Sequence, residues 1–576
     1  MIIFYAFVIL LCLFLLGFAI WFFVYKSMGK CPICALKKLM PKTKLTIDIS
    51  ERPDYEPQSS QMTPPMGWSS WNTFRQNISE DIILDTAKAM KDSGLLDAGY
   101  KYINLDDCWH SSLRDENGKL QSDFEKFPQG IPAMVEKINK LGFKLGLYTS
   151  NGEMTCEDLP ASLGKEQLDA DTFASWGCEF LKYDFCHHKF ISGDAPAIEG
   201  IEISEIGKTA HIRLFCEDAV LSGKAKIIPN KKIPHKKAIG RLNHGAGSAS
   251  FNVNVDREAD YIFTLLFCKS KSIKDQYLQV IIGNDIHEIF FPKSKAFSPT
   301  GRAQLKIHLK KGKNTILITN PIVTNADSSY TQYMRMGRAL KNAAYKTAEA
   351  NNTKIKPITY SICEWGVSNP AVWGAKTGNL WRTTHDILPT WFSVRHIYNR
   401  TIKLYKFAKP GAFNDPDMLE VGNGNFTLDE NKAHFSTWAM MAAPLILGND
   451  IRSFVDEDSS ESKSPILDIL TNEKIIAIDQ DKLGKPAKRI KWNLLADVIA
   501  RPLENGDIAV CLFNKGPFSM KLSADINKLA KDEYLSFCVS SNYKIHEIWS
   551  GETFEDTKLS AHLKKHSCKV YRISNM

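Results

Sequence analysis

Two hydrophobic periods alternate along most of this chain. From Met66 onward, apolar runs of strand length are separated by stretches with helical periodicity. The strand-like runs are Met66–Trp71, Tyr100–Asp107, Lys144–Ser150, Glu179–Cys186, Pro357–Trp365, Leu380–Asp386, Gly411–Leu419 and Ala443–Asp450. Helical patterns fall between them at Asp81–Ser93, Ile131–Leu141, Glu166–Trp176, Tyr333–Ala350 and Asn431–Met441. In the second of these, Ile131, Met134, Val135, Ile138 and Leu141 recur as one buried helix face should. Eight strand–helix units predict an α/β protein, a (β/α)8 TIM barrel, with an open doubly wound sheet as the alternative. The alternation stops after the fourth strand. Residues 187–330 hold only β-rich runs (Ala249–Val255, Tyr261–Cys268, Tyr277–Ile282, Glu288–Pro292, Leu305–Leu309, Thr315–Thr319) broken by turn residues, the pattern of an inserted antiparallel β-sandwich. Without it, 63–186 and 331–477 together have the length one barrel needs, about 250 residues. Short strands after residue 478 (Asp497–Arg501, Ile508–Asn514, Tyr543–Trp549, Cys568–Ile573) predict a C-terminal antiparallel β-domain over 478–576.

The N-terminus departs from this pattern. Residues 1–25 carry no charge and would make about 37 Å of helix, enough to cross a bilayer. Without a basic n-region or a small-residue cleavage site, the segment reads as a retained single transmembrane helix rather than a signal peptide. The expected localisation is therefore a single-pass membrane protein held in the lipid bilayer through residues 1–25, followed by a polar juxtamembrane linker over 26–62. Lysines 26, 30, 37, 38, 42 and 44 all follow the span, and positive-inside bias would keep the bulk of the chain cytoplasmic.

Composition narrows the function. With 44% hydrophobic and 24% charged residues among 576, the chain is globular, not disordered or low-complexity. The net charge of +9 is unevenly spread: residues 187–330 hold 21 Lys and Arg against 13 Asp and Glu. The basicity thus belongs largely to the insert. A membrane surface or an acidic glycan suits it better than nucleic acid, and a solvated lysine-rich face is the commoner explanation. Of 13 cysteines, Cys31 and Cys34 form one CxxC with no second at zinc-finger spacing, so no zinc finger is expected.

Polar residues gather where the barrel runs end: Asp106-Asp107-Cys108-Trp109, Lys182-Tyr183-Asp184, Cys363-Glu364-Trp365, Arg382-Thr383-Thr384-His385-Asp386 and Asn414-Asp415-Pro416-Asp417. In a barrel these ends converge on one face, where active sites lie. One acid at a strand end is often only a helix cap; five such ends in register are hard to explain as caps. Carboxylates beside aromatic residues suit a polyhydroxylated substrate, and two of them flanking a glycosidic bond can divide nucleophile and acid/base work. A catalytic metal is the weaker alternative, because Asp106, Asp107 and Asp184 come without a histidine set of ligand spacing. His187 and His188 read as loop polarity, with side chains on opposite sides of an extended run. No GxSxG elbow, P-loop or dinucleotide fingerprint is present.

Thr63-Pro-Pro-Met-Gly-Trp-Ser-Ser-Trp-Asn72, Tyr102–Trp109, Leu181–Cys186, Cys363-Glu-Trp365, Trp381–Ile387 and Asn414–Leu419 together resemble glycoside hydrolase family 27, the retaining α-galactosidases and α-N-acetylgalactosaminidases. The resemblance covers about 63–186 and 331–576. It implies Asp184 as nucleophile, Asp386 as acid/base, and Trp71, Asp106, Asp107, Lys182, Glu364 and Arg382 as substrate-binding residues, with no catalytic metal or cofactor. Glu364 matches the position where galactose-preferring members keep Glu, so an α-galactoside is the expected substrate. An α-N-acetylgalactosaminidase, or a non-catalytic sugar-binding surface protein on the same barrel, is the alternative. Lys182, on the same strand face as Asp184, should favour the ionised nucleophile. Asp386 must be protonated in the free enzyme, which predicts a less charge-compensated setting for it. Asn414, Asp415 and Asp417 read as mostly architectural.

The resemblance also implies a disulfide between Cys156 and Cys186, which favours an extracellular catalytic domain against the lysine bias. Cys108 matches a second half-cystine, but its usual partner region, Phe74-Arg75-Gln76-Asn77, has no Cys. Within the insert, Leu214–Gly223, Phe251–Leu266 and Lys311–Ile316 look like a carbohydrate-binding module of family 35 or 6. In such modules an acid at the Glu217-Asp218 position can hold a structural calcium.

Overall fold

The computed structural model describes residues 44–55, 62–209, 212–231, 233–269, 274–293, 298–455 and 464–576. They form two compact units, one of 50–188 with 332–576 and one of 44–49 with 189–331.

In the larger unit eight parallel strands form one TIM-like sheet. In chain order they are Met66–Ser69, Tyr102–Asn104, Lys144–Ser150, Phe180–Asp184, Thr359–Ile362, Leu380–Arg382, Phe413–Asp415 and Leu445–Leu447. Each of the eight expected runs contains one of them; Lys144–Ser150 has the expected bounds and the others are shorter. Strands one to seven pair with their chain neighbours, and strand eight pairs with strand one through Met66–Leu445, Gly67–Ile446 and Trp68–Leu447. The seam between strands seven and eight is joined by the stretch after strand seven, where Leu419 N donates to Ile446 O (2.7 Å) and Gly448 N to Leu419 O (3.0 Å). The interior is tight: a Cβ on Gly146 would stand 2.0 Å from Asn104 Oδ1, so strand three tolerates no side chain there.

The outer helices obey the apolar pattern. Helix Glu80–Asp92 buries Ile83, Thr86, Ala87 and Met90, one face at helical spacing, and starts where Ser79 Oγ accepts from Ile82 N. Helix Leu428–Met440 begins with a capping box between Thr427 and Glu430. The helix expected near Tyr333 runs from Asn325 to Asn351. Helix Trp391–Thr401, after strand six, was not anticipated.

A six-stranded antiparallel sheet follows, with strands in the order Lys488–Trp492, Ala496–Pro502, Ile508–Asn514, Cys568–Asn575, Tyr543–Glu547 and Thr553–Asp556. It is tied to the barrel at depth. Asp497 accepts from Tyr398 OH (2.7 Å) and pairs with Arg489 (2.8 Å) and Lys515 (2.6 Å), and Arg501 donates to Ala439 O (2.8 Å).

The smaller unit is built from two antiparallel sheets closing on one core that includes Ile201, Phe251, Phe263, Val280 and Ile316. All six strands read from the sequence are present, and five earlier ones join them from Ala197–Glu205 to Lys237–Gly240. The unit also takes in residues 44–49, expected as linker: Thr46 N and Ile47 N donate to Asp327 Oδ1 (2.7 and 3.0 Å).

The membrane localisation needs correction. Among the described residues no helix is long and apolar enough to cross a bilayer. The longest, Asn325–Asn351, is charged along its length, with Asp327, Arg335, Arg338, Lys341, Lys346 and Glu349. The span expected over 1–25 lies outside the described residues, and the single-pass assignment is withdrawn.

Candidate active site

Five of the polar strand ends contribute to one cavity, although Asp107, Asp184, Glu364 and Asp386 are not among its lining residues. A cavity at the core of the barrel face is lined by Asp106 from the end of strand two, Lys182 from strand four, Cys363 after strand five, Arg382 from strand six, and Asp415 and Asp417 from strand seven. Parallel pairing is what brings them level: Lys182 lies beside Ser361, and Arg382 beside Asp415.

Lys182 reaches across the sheet to Asp106, Nζ to Oδ2 at 2.8 Å, with Ser69 Oγ donating to the same oxygen (3.3 Å). Burial works against the ammonium, but Asp106 and then Cys363 and Asp184 hold it well above its usual pKa. Lys182 therefore stays charged, although its direct partner is Asp106, not Asp184. Asp184 ends strand four, nearly buried, its Oδ1 accepting from Phe185 N (2.7 Å). Burial raises its pKa, Lys182 pulls it back, and the charge of Asp386 pushes it up again. The lysine does favour the ionised carboxylate, as expected, yet burial outweighs it.

Asp107 is oriented by backbone, accepting from Cys108 N (2.8 Å) and Glu157 N (3.1 Å), and burial raises its carboxyl to about 7. Trp71, half-buried, opens the turn after strand one, with the Arg75 guanidinium 5.4 Å from its ring centre. Glu364 is fully buried, and both its oxygens lie within hydrogen-bond reach of Ser368 N (2.7 and 3.0 Å). It closes the turn after strand five and does not line the cavity.

The expectation for Asp386 is corrected. Its half-exposed carboxylate lies 3.1 Å from Arg382 Nη2, so a cation does sit against it. That same Nη2 makes a shorter contact, 2.6 Å, with buried Asp417. Burial raises the Asp417 carboxyl to about 6 against the pull of Arg382. Asp417 also accepts from Ile387 N (2.7 Å), the residue after Asp386. Sequence reading gave Asp417 a role in the turn only. The two-residue spacing from Asp415, which puts both at the strand end, was the one available sign of more. Asn414 is architectural as expected, accepting from Trp381 Nε1 (2.8 Å) and donating to Leu404 O (3.0 Å).

Cys156 and Cys186 form a disulfide, Cα atoms 5.1 Å apart. Cys108 is a buried free thiol, and where its partner would stand Lys126 Nζ donates to both Gln76 O and Cys108 O (3.1 Å each). His187 and His188 part as expected: His187 pairs with Asp158 (2.9 Å). His188 is more than loop polarity, being buried and stacked on Phe185 with ring centres 4.1 Å apart.

The chain is similar to known proteins over most of its length. Residues 63–207 and 326–481 match the family model described as alpha galactosidase A. Residues 495–573 match the alpha galactosidase C-terminal beta sandwich domain. The chain is 31% identical to Alpha-galactosidase 2 of Arabidopsis thaliana over 89% of its own length and 90% of the relative's. It is 30% identical to Alpha-galactosidase A of Cellvibrio japonicus over 89% and 92%. In fold it is similar to alpha-galactosidase I of Mortierella vinacea, with TM-score 0.62 and 24% identity over 90% of this chain and 99% of that one.

Proposed function

The chain belongs to the alpha-galactosidase family and is a retaining glycoside hydrolase of terminal α-linked galactose; we propose that Asp184 is its nucleophile and Asp386 its acid/base. In the first step a carboxylate oxygen of Asp184 attacks the anomeric carbon. The glycosidic bond breaks as Asp386 gives its proton to the leaving oxygen, and a covalent glycosyl-enzyme results. In the second step Asp386, now a carboxylate, takes a proton from water as that water displaces Asp184 and frees galactose.

The observation that carries this reading is the 3.1 Å contact between the Arg382 guanidinium and half-exposed Asp386 after strand six, with Asp184 at the end of strand four near enough for its carboxyl to feel the charges of Asp386 and Lys182. Both cations lie in a site with little solvent, where fixed charges act strongly. Asp106 and Asp107, at the end of strand two, are read as the grip on the sugar hydroxyls, and Trp71 as the aromatic wall. The preference for galactose over the N-acetyl sugar rests on the match of Glu364 to the position where galactose-preferring members keep Glu; its carboxylate is buried on Ser368 N, outside the cavity. The catalytic domain is read as 63–186 with 331–477, and the C-terminal domain as 478–576.

The test is hydrolysis of paired aryl glycosides. The wild type is expected to release the aryl group from the α-galactoside and to discriminate against the α-N-acetylgalactosaminide. Asp184→Asn should lose about a thousandfold or more in kcat. Turnover by Asp184→Asn close to wild type sinks the assignment.

The inserted unit is read as a carbohydrate-binding module. Support comes from an open cavity of about 570 Å³ on its sheet face, bordered by Glu199, Arg213, Phe215, His235 and Arg302. A structural calcium at Glu217-Asp218 does not fit the residues present. Calcium takes six to eight oxygens, whereas Glu217 is surrounded by a thiol, an imidazole and an ammonium, and Asp218 is used in accepting from Phe215 N (2.7 Å).

A further inference from the structure

The misfit at Glu217 has a chemistry of its own. Cys216, Glu217 and His235 present one ligand atom each, all within 4.8 Å of one another. Glu217 Oε2 is the common centre: it accepts from Cys216 Sγ (3.0 Å) and lies 2.6 Å from His235 Nε2. Its second oxygen, Oε1, faces outward to Lys237 Nζ (3.0 Å). One carboxylate oxygen is thus aimed inward with sulfur and nitrogen, and the other is held by a cation.

We infer that Cys216, Glu217 and His235 form a binding site for a divalent cation of the zinc class. Thiolate, imidazole and a single carboxylate oxygen are the donors such an ion prefers, and three protein ligands with one open position make a site it occupies. The surroundings hold the ligands in place. The His235 ring is stacked on Phe215, centres 4.1 Å apart and planes 7° from parallel, and His235 N donates to buried Glu199 (3.1 Å). Cys216 is fully buried, so its sulfur is fixed. Lys237 on Oε1 leaves Oε2 as the one oxygen offered, and outer contacts of this kind orient ligands. On binding, the Cys216 S–H and His235 Nε2–H bonds break, the thiol proton leaves to solvent, the ring keeps a single proton on Nδ1, and sulfur, Oε2 and Nε2 donate to the metal.

The place in the fold gives the site a purpose. Cys216 and Glu217 lie in the turn between strand Ile212–Phe215, which pairs in one sheet, and strand Val220–Gly223, which pairs in the other. His235 precedes strand Lys237–Gly240. A metal here staples the crossover between the sheets to a neighbouring hairpin.

The test uses the full chain, stripped with chelator and titrated with Zn²⁺ alone against a chromophoric competitor, and separately with Co²⁺. Tight binding of zinc is expected, with a thiolate-to-cobalt charge-transfer band, and calcium should not compete. Cys216→Ser and His235→Ala should each weaken zinc binding by about tenfold or more, the scale by which even outer contacts change metal affinity. Cys268→Ser, which alters a buried thiol elsewhere in the same unit, should leave it unchanged. Unchanged hydrolysis of the aryl α-galactoside by Cys216→Ser and Cys268→Ser certifies that the larger unit is folded, and thereby separates failure here from failure of the catalytic reading. Absence of the charge-transfer band in the wild type, equal zinc affinity in the Cys216 variant, or displacement by calcium each overturns the site.

Discussion

Arg382 serves two carboxylates of different exposure, and Asp417 competes with Asp386 for its guanidinium. Its shorter contact goes to buried Asp417 and its longer one to half-exposed Asp386. Removing the negative charge at 417 has two effects of the same sign: it releases the guanidinium to Asp386, and it removes a like charge nearby. Both favour the ionised form of Asp386. An acid that must be protonated to act then loses its proton earlier as pH rises. The alkaline limb of kcat against pH is therefore expected to move to lower pH in Asp417→Asn. A merely structural role would lower activity evenly and leave the limb where it is.

Glu420 gives a stability counterpart. Burial raises its carboxyl from 4.5 to about 7, although Asn423 and Asn72 donate to it. The folded state holds this proton more tightly than the unfolded chain, so stability falls as pH rises from about 4.5 to 7. The full fall is about 3 kcal/mol at 1.36 kcal/mol per pH unit. Denaturant midpoints measured across that window should flatten in Glu420→Gln, and an equally steep fall in the variant excludes Glu420 as its source.

At the scale of elements, the barrel was legible because its strands and helices carry opposite periods. The eight strand positions and the gap after the fourth could be read from that contrast alone. Strand ends were over-extended, since polar residues such as Asp107 and Asp386 continue the sequence pattern after ladder pairing has stopped. Helix Trp391–Thr401 was missed because Val394, Ile397, Tyr398 and Thr401 form a short buried stripe among polar neighbours. Partnership across elements left no sequence sign. Lys182 chooses Asp106, 76 positions away, and Arg382 chooses Asp417. The Asp497 cluster was equally invisible, as it joins helix Trp391–Thr401, two strands of the C-terminal sheet and Lys515. Asp497→Ala should cost about 3–5 kcal/mol, because it leaves Arg489 and Lys515 buried without their anion. Urea unfolding measures this, and a loss below about 1 kcal/mol contradicts the cluster's role.

At the scale of the molecule, the chain builds separate cores from one sequence. The smaller unit closes two sheets on its own apolar interior, in which Phe251, Phe263 and Ile316 have no exposed surface. Its surplus of Lys and Arg lies outside that interior. The larger unit has the buried aromatic side chains Trp68, Trp109, Trp373, Trp381 and Trp438. A unit with its own core unfolds cooperatively by itself. Calorimetry of the full chain is therefore expected to resolve two transitions. Phe251→Ala, which removes a ring from the smaller core, should destabilise one of them by about 3–5 kcal/mol. The other transition and the hydrolysis of an aryl α-galactoside should stay at wild-type values. A single transition that moves as a whole in Phe251→Ala, with activity lost at the same temperature, means the two cores fold as one.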